Sequence, residues 1–210
     1  MPIRTPPSNF RLESGGPLMP ILIGAKPESD FTDPVGMLGD CHRRIVRFLN
    51  VLVSLSKENG KPLSEEHRKL LATSLRYFRE GAPKHTADEE ESLFPRLRRL
   101  DVPGLQTVLT TIDSLEQDHE CAVRSHVEVD RLGCLWLTNG GLAPEDASRF
   151  AILLNQLATL YLHHIGTEDT QVFPFAAAAL SSADRRAIGA EMAARRGLSP
   201  TIESGIAAAR

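Results

Sequence analysis

The stretch His85-Thr-Ala-Asp-Glu-Glu-Glu-Ser-Leu-Phe-Pro95 recurs later in the chain as His164-Ile-Gly-Thr-Glu-Asp-Thr-Gln-Val-Phe-Pro174. In each copy a histidine stands four residues before a glutamate, and a Phe-Pro pair follows at the same distance. Residues four apart share one face of an α-helix, so each His-x-x-x-Glu pair can hold a cation between an imidazole and a carboxylate. The repeat therefore predicts two helical segments that together bind a pair of metal ions.

The spacing of apolar residues predicts an all-α protein. They recur at three- and four-residue steps, and strand-like alternation is absent. Short connections between long helices favour antiparallel packing, so we expect an up-down-up-down four-helix bundle with a short additional C-terminal helix. The expected helices cover 34–57, 64 to about 100 with an apolar stripe that reaches Leu93, 104–138, 144–174 and 182–195.

Prolines and capping residues define the expected boundaries. The first 32 residues are rich in proline, which predicts an irregular N-terminal arm at 1–32, followed by the bundle at 33–178 and the C-terminal helix and tail at 179–210. Asp33 and Ser64 are suited to cap the first two helices. Gly81 and Pro83 interrupt the second, and we expect a kink just before His85 because proline cannot donate a backbone hydrogen bond.

The overall composition excludes several classes of protein. A formal net charge of -3 gives no basic surface for nucleic acid. The three cysteines are widely spaced, which fits a reducing compartment better than a disulfide framework. No apolar run approaches the length that spans a membrane. We therefore expect a cytoplasmic protein that binds neither nucleic acid nor membrane.

Each of the four long helices carries one histidine on its buried stripe, and counting residues from the turns places all four at one level of the bundle. Ionised Glu89 and Glu168 at the same level would be costly to bury unless cations neutralised them. Nitrogen and oxygen donors suit two iron ions, with manganese or zinc as second choices. The expected metal ligands are His42, His85, Glu89, His119, His164 and Glu168.

The order His, His-x-x-x-Glu, His, His-x-x-x-Glu over about residues 34–175 resembles the hemerythrin-like (HHE cation-binding) family of di-iron four-helix bundles. The resemblance implies two non-haem iron ions, with the four histidines as terminal ligands and Glu89 and Glu168 as bridging carboxylates. Oxygen-carrying members have a second histidine one turn away on the third helix, where this chain has Leu115 and Val123. Water or another side chain could take the position left open, and the candidates are Glu116 and His163.

The resemblance and the ligand set lead to two functional hypotheses. The first is a non-haem di-iron binding protein that binds or senses dioxygen, nitric oxide or cellular iron. The alternative is a di-iron enzyme that consumes peroxide or oxidises ferrous iron. Both imply a small diatomic or peroxide ligand at the metal centre, and the sequence identifies no protein partner. A binding or sensing role is favoured because no acid, base or substrate-positioning set stands out.

Other polar residues near the motif have simpler interpretations. His126 lies one heptad, about 10.5 Å, beyond His119, so we expect a core histidine with a local partner such as Tyr77. Tyr161 is expected to fill the core rather than contact a ligand. The acidic residues that fall off the buried stripe are expected to form a solvated face, and they are Asp88, Glu90, Glu91 and Asp169.

Overall fold

The computed structural model describes residues 28–198, so most of the arm predicted at 1–32 and the end of the tail lie outside the described residues. Within them the protein is helical and contains no strand. Helix α1 spans Pro34–Ser56, α3 spans Leu105–Asn139 and α5 spans Ser182–Arg195. The all-α prediction is confirmed.

The other two long helices are rods in which α-helical and π-helical segments alternate. The rod α2 consists of Glu65–Arg76, the π turn Tyr77–Gly81, Ala82–Ala87, the π turn Asp88–Leu93 and Phe94–Leu97. The rod α4 consists of Pro144–Thr167, the π turn Glu168–Val172 and Phe173–Ala179.

Each π turn ends immediately before an X-Pro step. The residue preceding the proline donates its N–H to the carbonyl five residues back, as Phe94 does to Glu89 and Phe173 does to Glu168. Proline lacks a donor, and its ring clashes with the carbonyl four residues back, so a wider turn is a way to continue the helix. The interruption expected at Pro83 takes this form, and α2 continues through it.

The helix ends follow the capping signals in the sequence. Asp33 accepts a hydrogen bond from the Gly36 N–H at 3.1 Å, and the Ser64 hydroxyl accepts one from the His67 N–H at 3.1 Å. After α1 the chain turns at Asn59 and Gly60, which both have positive φ. These short turns keep successive helices antiparallel.

The four rods form a closed ring, because each packs against the next in sequence and α4 packs against α1. Their core consists of two apolar clusters. One joins the late residues of α1 and α3 to the early residues of α2 and α4, for example Leu52 and Trp136 with Leu71 and Phe150. The other joins the opposite ends of the same rods. This arrangement is the predicted up-down-up-down bundle.

Helix α5 packs along α1 and along the π turn Asp88–Leu93 of α2. Ile188 and Met192 are fully buried in the second apolar cluster. A Cβ at Gly189 would collide with the carbonyl oxygen of Phe31, so glycine allows the chain before α1 to approach α5 closely. Among the described helices, none combines the length and apolar character that crossing a membrane requires.

Candidate metal centre

A polar layer lies where the two apolar clusters meet. On α1, His42 stands between Leu38 of one cluster and Ile45 of the other, and the histidines of the other three rods occupy equivalent positions. The prediction that the four histidines lie at one level of the bundle is therefore confirmed. The six side chains brought together are all buried, with at most 7% of their surface exposed, and they are His42, His85, Glu89, His119, His164 and Glu168.

The Nε2 atoms of the four histidines face the two carboxylates. Nε2 of His42 lies 3.0 Å from Oε2 of Glu168, and Nε2 of His164 lies 3.3 Å from the same oxygen. Nε2 of His85 lies 3.3 Å from Oε1 of Glu89, whereas Nε2 of His119 lies 3.4 Å from Oε2 of Glu89. Glu89 thus stands between histidines of α2 and α3.

These donor atoms form two overlapping groups. The first contains His42, His85, Glu89 and Glu168, and the second contains His119, His164 and Glu168. Within each group the possible ligand atoms all lie within 4.8 Å of one another. Because Glu168 belongs to both groups, the layout is that of two neighbouring cation positions that share a carboxylate.

The two glutamates occupy equivalent positions in the repeat. Each lies on a π turn, and its own carbonyl accepts the five-residue hydrogen bond from the phenylalanine of the following Phe-Pro step. The width of that turn affects the direction in which the glutamate side chain leaves the rod. The Phe-Pro pairs of the repeat therefore belong to the local structure that positions Glu89 and Glu168.

The hydrogen bonding of this layer is incomplete without a cation. All four carboxylate oxygens of Glu89 and Glu168 are buried and lack a hydrogen-bond partner. Nε2 of His42 also lacks one, since its 3.0 Å approach to Glu168 does not have hydrogen-bond geometry. Unpaired buried carboxylates are costly, and cations would supply the missing partners. The residues present fit a metal centre.

Three of the histidines are held at Nδ1 by a carboxylate from a neighbouring rod. Asp169 lies 2.8 Å from Nδ1 of His42, and Glu90 lies 2.8 Å from Nδ1 of His119. Asp118 lies 3.3 Å from Nδ1 of His164. A carboxylate at Nδ1 orients the ring and directs Nε2 towards a metal.

Glu90 and Asp169 were expected on a solvated face, and their side chains are 38% and 47% exposed. The expectation missed their contacts with the histidine rings, and it missed Asp118 altogether. Each is adjacent in sequence to one of the six residues, so it lies beside the buried stripe at a helix interface. From there it reaches the ring of the next rod, which a periodicity analysis of one isolated helix does not reveal. The sequence did contain one indication of these contacts, because each of the three acidic residues directly adjoins a proposed ligand.

Asp88 was also expected on a solvated face, but its side chain is fully buried. It accepts hydrogen bonds from Arg195 at 2.9 Å and from Arg196 at 2.6 Å. Arg195 also donates to the Ser92 hydroxyl at 2.8 Å, and Ser92 in turn donates to Glu191 at 2.5 Å. Through this network the C-terminal segment holds the π turn that carries the neighbouring Glu89.

The two carboxyl groups have opposite pKa shifts in the absence of metal. Burial, reinforced by the proximity of Glu168, raises the pKa of Glu89 well above its usual value. Burial also opposes ionisation of Glu168, but His164 and His42 outweigh it and lower that pKa far below its usual value. Burial likewise disfavours protonated His42, yet Asp169 and Glu168 raise its pKa to about 9. The raised pKa values mean that Glu89 and His42 tend to retain their protons, and metal binding would displace them.

Neither Glu116 nor His163, the two candidates for an additional metal ligand, belongs to the groups of donor atoms. Glu116 is paired with Arg98 at 2.9 and 2.8 Å, and His163 is exposed.

His126 is a partly buried histidine stacked on Phe78, with ring centroids 4.4 Å apart. Its Nε2 lies 3.0 Å from the hydroxyl of Tyr161, so the partner suggested from the sequence, Tyr77, was wrong.

A small cavity of about 10 Å³ adjoins the polar layer. Its lining includes His85, His119, His164 and Tyr161. This volume is close to the space that one water molecule requires. Because His85 belongs to the first donor group and His119 and His164 belong to the second, the cavity borders both groups.

Most of the chain matches the sequence model of a protein family. The model described as Hemerythrin HHE cation binding domain matches residues 33–176, which contain all six residues of the layer. An uncharacterized protein of Haemophilus influenzae is 33% identical over 93 residues. That alignment covers 43% of this chain and 51% of the relative, so it spans about half of the relative's length.

Proposed function

The chain belongs to the hemerythrin HHE cation-binding family, and we propose that it is a non-haem iron protein with a two-iron centre. The observation that carries the proposal is that the four carboxylate oxygens of Glu89 and Glu168 are buried without hydrogen-bond partners, while four imidazole Nε2 atoms lie within 3.4 Å of these two carboxylates. The six proposed ligands offer nitrogen and oxygen atoms and no thiolate. This donor set favours iron over zinc, whose structural sites usually contain thiolates.

The six residues have distinct roles in this proposal. His42 and His85 would be the terminal ligands of one ion, and His119 and His164 would be those of the other. Glu168 would be shared by the two ions, since it belongs to both groups of donor atoms. Glu89 would be the second shared carboxylate, since its Oε1 lies near His85 and its Oε2 lies near His119.

We propose dioxygen or nitric oxide as the ligand that the centre binds or senses, with cellular iron itself as the third candidate signal. Bound iron would supply redox chemistry and the ability to bind an exogenous ligand. The small cavity beside His85, His119 and His164 supports a ligand of diatomic size.

The second candidate is an enzyme that consumes peroxide or oxidises ferrous iron. The observation in its favour is Tyr161, which lines the small cavity and whose hydroxyl lies 3.0 Å from Nε2 of His126. This pair can hold a proton next to the ligand position. Anaerobic reduction of the iron-loaded protein followed by dioxygen or nitric oxide separates the two functions. A reversible visible band supports binding or sensing, whereas irreversible oxidation with catalytic loss of peroxide supports the enzyme.

The proposal that this is an iron protein is tested with two adjacent histidines. His164→Ala removes a proposed ligand, and His163→Ala changes an exposed histidine next to it as a matched control. We expect elemental analysis of the reconstituted proteins to show less iron in the His164→Ala variant alone. Equal iron content in wild type and both variants would exclude the proposed role of His164.

A further inference from the structure

A second and larger cavity lies between α2 and α3. Its volume is about 340 Å³, and its walls are mainly apolar, with Leu75 and Phe78 from α2 and Ala122 and Val129 from α3. A dry engineered cavity of about 150 Å³ holds benzene. A volume about twice as large therefore suits a molecule with two fused rings.

The mouth of this cavity is apolar as well. Val123 and Val127 belong to its lining and leave 60% and 67% of their surface exposed. The charged residues of the lining, Arg79 and Asp130, neutralise each other through an ion pair of 2.6 Å. Because these two charges compensate each other, neither is left to bind an ion, and a neutral occupant suits the cavity better.

One polar group of the lining has no partner. His126 contributes to the cavity wall, and its Nδ1 is buried without a hydrogen bond, while its Nε2 is engaged by Tyr161. Burial lowers the pKa of His126 to about 4, so the ring is neutral at pH 7. Depending on the tautomer, Nδ1 donates or accepts, and a hydroxyl group can pair with either form.

The larger cavity is adjacent to the metal layer. It shares Ala82, Thr86, His119 and Tyr161 with the small cavity that lies beside the other histidines. A molecule bound between α2 and α3 would therefore lie next to the position proposed for the small ligand of the metal centre.

We propose that the cavity between α2 and α3 binds a neutral aromatic molecule with one hydroxyl group, of the phenol or naphthol class, with the hydroxyl paired to Nδ1 of His126. Apolar walls and the aromatic face of Phe78 hold the rings, and the imidazole selects for the hydroxyl. Its placement beside a working iron centre rests on the proposed function, whereas binding in the cavity does not.

The test uses 2-naphthol as the probe and isothermal titration calorimetry of the full chain at pH 7, with and without iron. We expect one saturable site per chain and at least about tenfold weaker binding of 2-naphthalenesulfonate, which carries a charge. Val127→Trp narrows the mouth at an exposed position and should weaken 2-naphthol binding about tenfold or more. Leu162→Trp is the matched control on α4, where the side chain is 80% exposed outside the cavity lining.

His126→Phe tests the hydrogen bond, because phenylalanine keeps an aromatic ring and removes both nitrogens. We expect about tenfold weaker binding of 2-naphthol. The proposal is overturned if 2-naphthol shows no saturable binding, if the sulfonate binds as tightly, or if Val127→Trp and Leu162→Trp behave alike.

Iron content measured on the same samples separates this proposal from the proposed function. Protein that binds 2-naphthol but takes up no iron would refute the iron centre and support the aromatic site. Protein that takes up iron but does not bind 2-naphthol would refute the aromatic site alone.

Discussion

The carboxylate of Glu90 lies 2.8 Å from Nδ1 of His119 and accepts a hydrogen bond from that nitrogen when it carries the ring proton. The preceding residue, Glu89, lies 3.4 Å from Nε2 of the same ring. Two consecutive residues of α2 thus contact both ring nitrogens of one histidine on α3. The second copy of the repeat does the same to His42, through Glu168 at Nε2 and Asp169 at Nδ1.

This relationship predicts that Glu90→Gln weakens iron binding without removing a ligand. The neutral amide orients the His119 ring less strongly and makes its Nε2 a weaker metal ligand. We therefore expect iron affinity to fall about 10- to 100-fold. Titration of the metal-free protein with ferrous iron under anaerobic conditions measures the change. Glu120→Gln alters an exposed carboxylate on the other side of His119 and should leave affinity unchanged.

The C-terminal segment provides a second prediction. Replacing both Arg195 and Arg196 by alanine leaves the buried carboxylate of Asp88 without its guanidinium partners. Removing the partners of a buried charge costs about 3 kcal/mol or more in the free energy of unfolding. Urea unfolding measures the loss, and a double variant as stable as the exposed control Arg186→Ala would show that this ion pair does not stabilise the fold.

A third prediction concerns acid stability. The pKa of His126 is about 4 in the folded protein because burial disfavours its charged form, whereas an unfolded histidine titrates near its ordinary value of 6.5. Between these pH values the unfolded state binds the extra proton, so the free energy of unfolding decreases as pH falls. The contribution of this group amounts to up to about 3 kcal/mol.

In the His126→Phe variant this contribution is absent, and the unfolding free energy should fall less steeply between pH 6.5 and 4 than in wild type. Urea unfolding across that range provides the comparison, with His163→Phe as the exposed control. Parallel pH profiles for wild type and His126→Phe would be inconsistent with a buried neutral His126.

Much of the fold could be predicted from the sequence because the relevant signals are local or periodic. Asp33 and Ser64 cap helices through their own side chains, and the apolar stripes identify which face of each rod is buried. The grouping of His85 and Glu89 with His164 and Glu168 followed from the repeat and from the lengths of the helices. That these residues bind metal remains a prediction.

The features that could not be predicted depend on contacts between helices. Asp118 and Asp169 lie beside the buried stripe of their own rods, where a regular helical period assigns them to solvent, yet each meets a histidine of another rod. Asp88 is buried because α5 brings two arginines to it from more than one hundred residues away in sequence. The π turns also alter the regular period next to Glu89 and Glu168.

Glu168 is the residue common to both groups of donor atoms, so a two-iron centre depends most directly on it. Glu168→Gln keeps the size of the side chain but removes the charge that would bridge two ions, and Glu145→Gln is an exposed control on the same rod. The decisive measurement is iron per chain after anaerobic reconstitution and removal of free metal. We predict two irons in wild type and in the control, with both positions weakened in Glu168→Gln. Wild-type protein without bound iron, or a Glu168→Gln variant that retains the full amount, would contradict the two-iron centre.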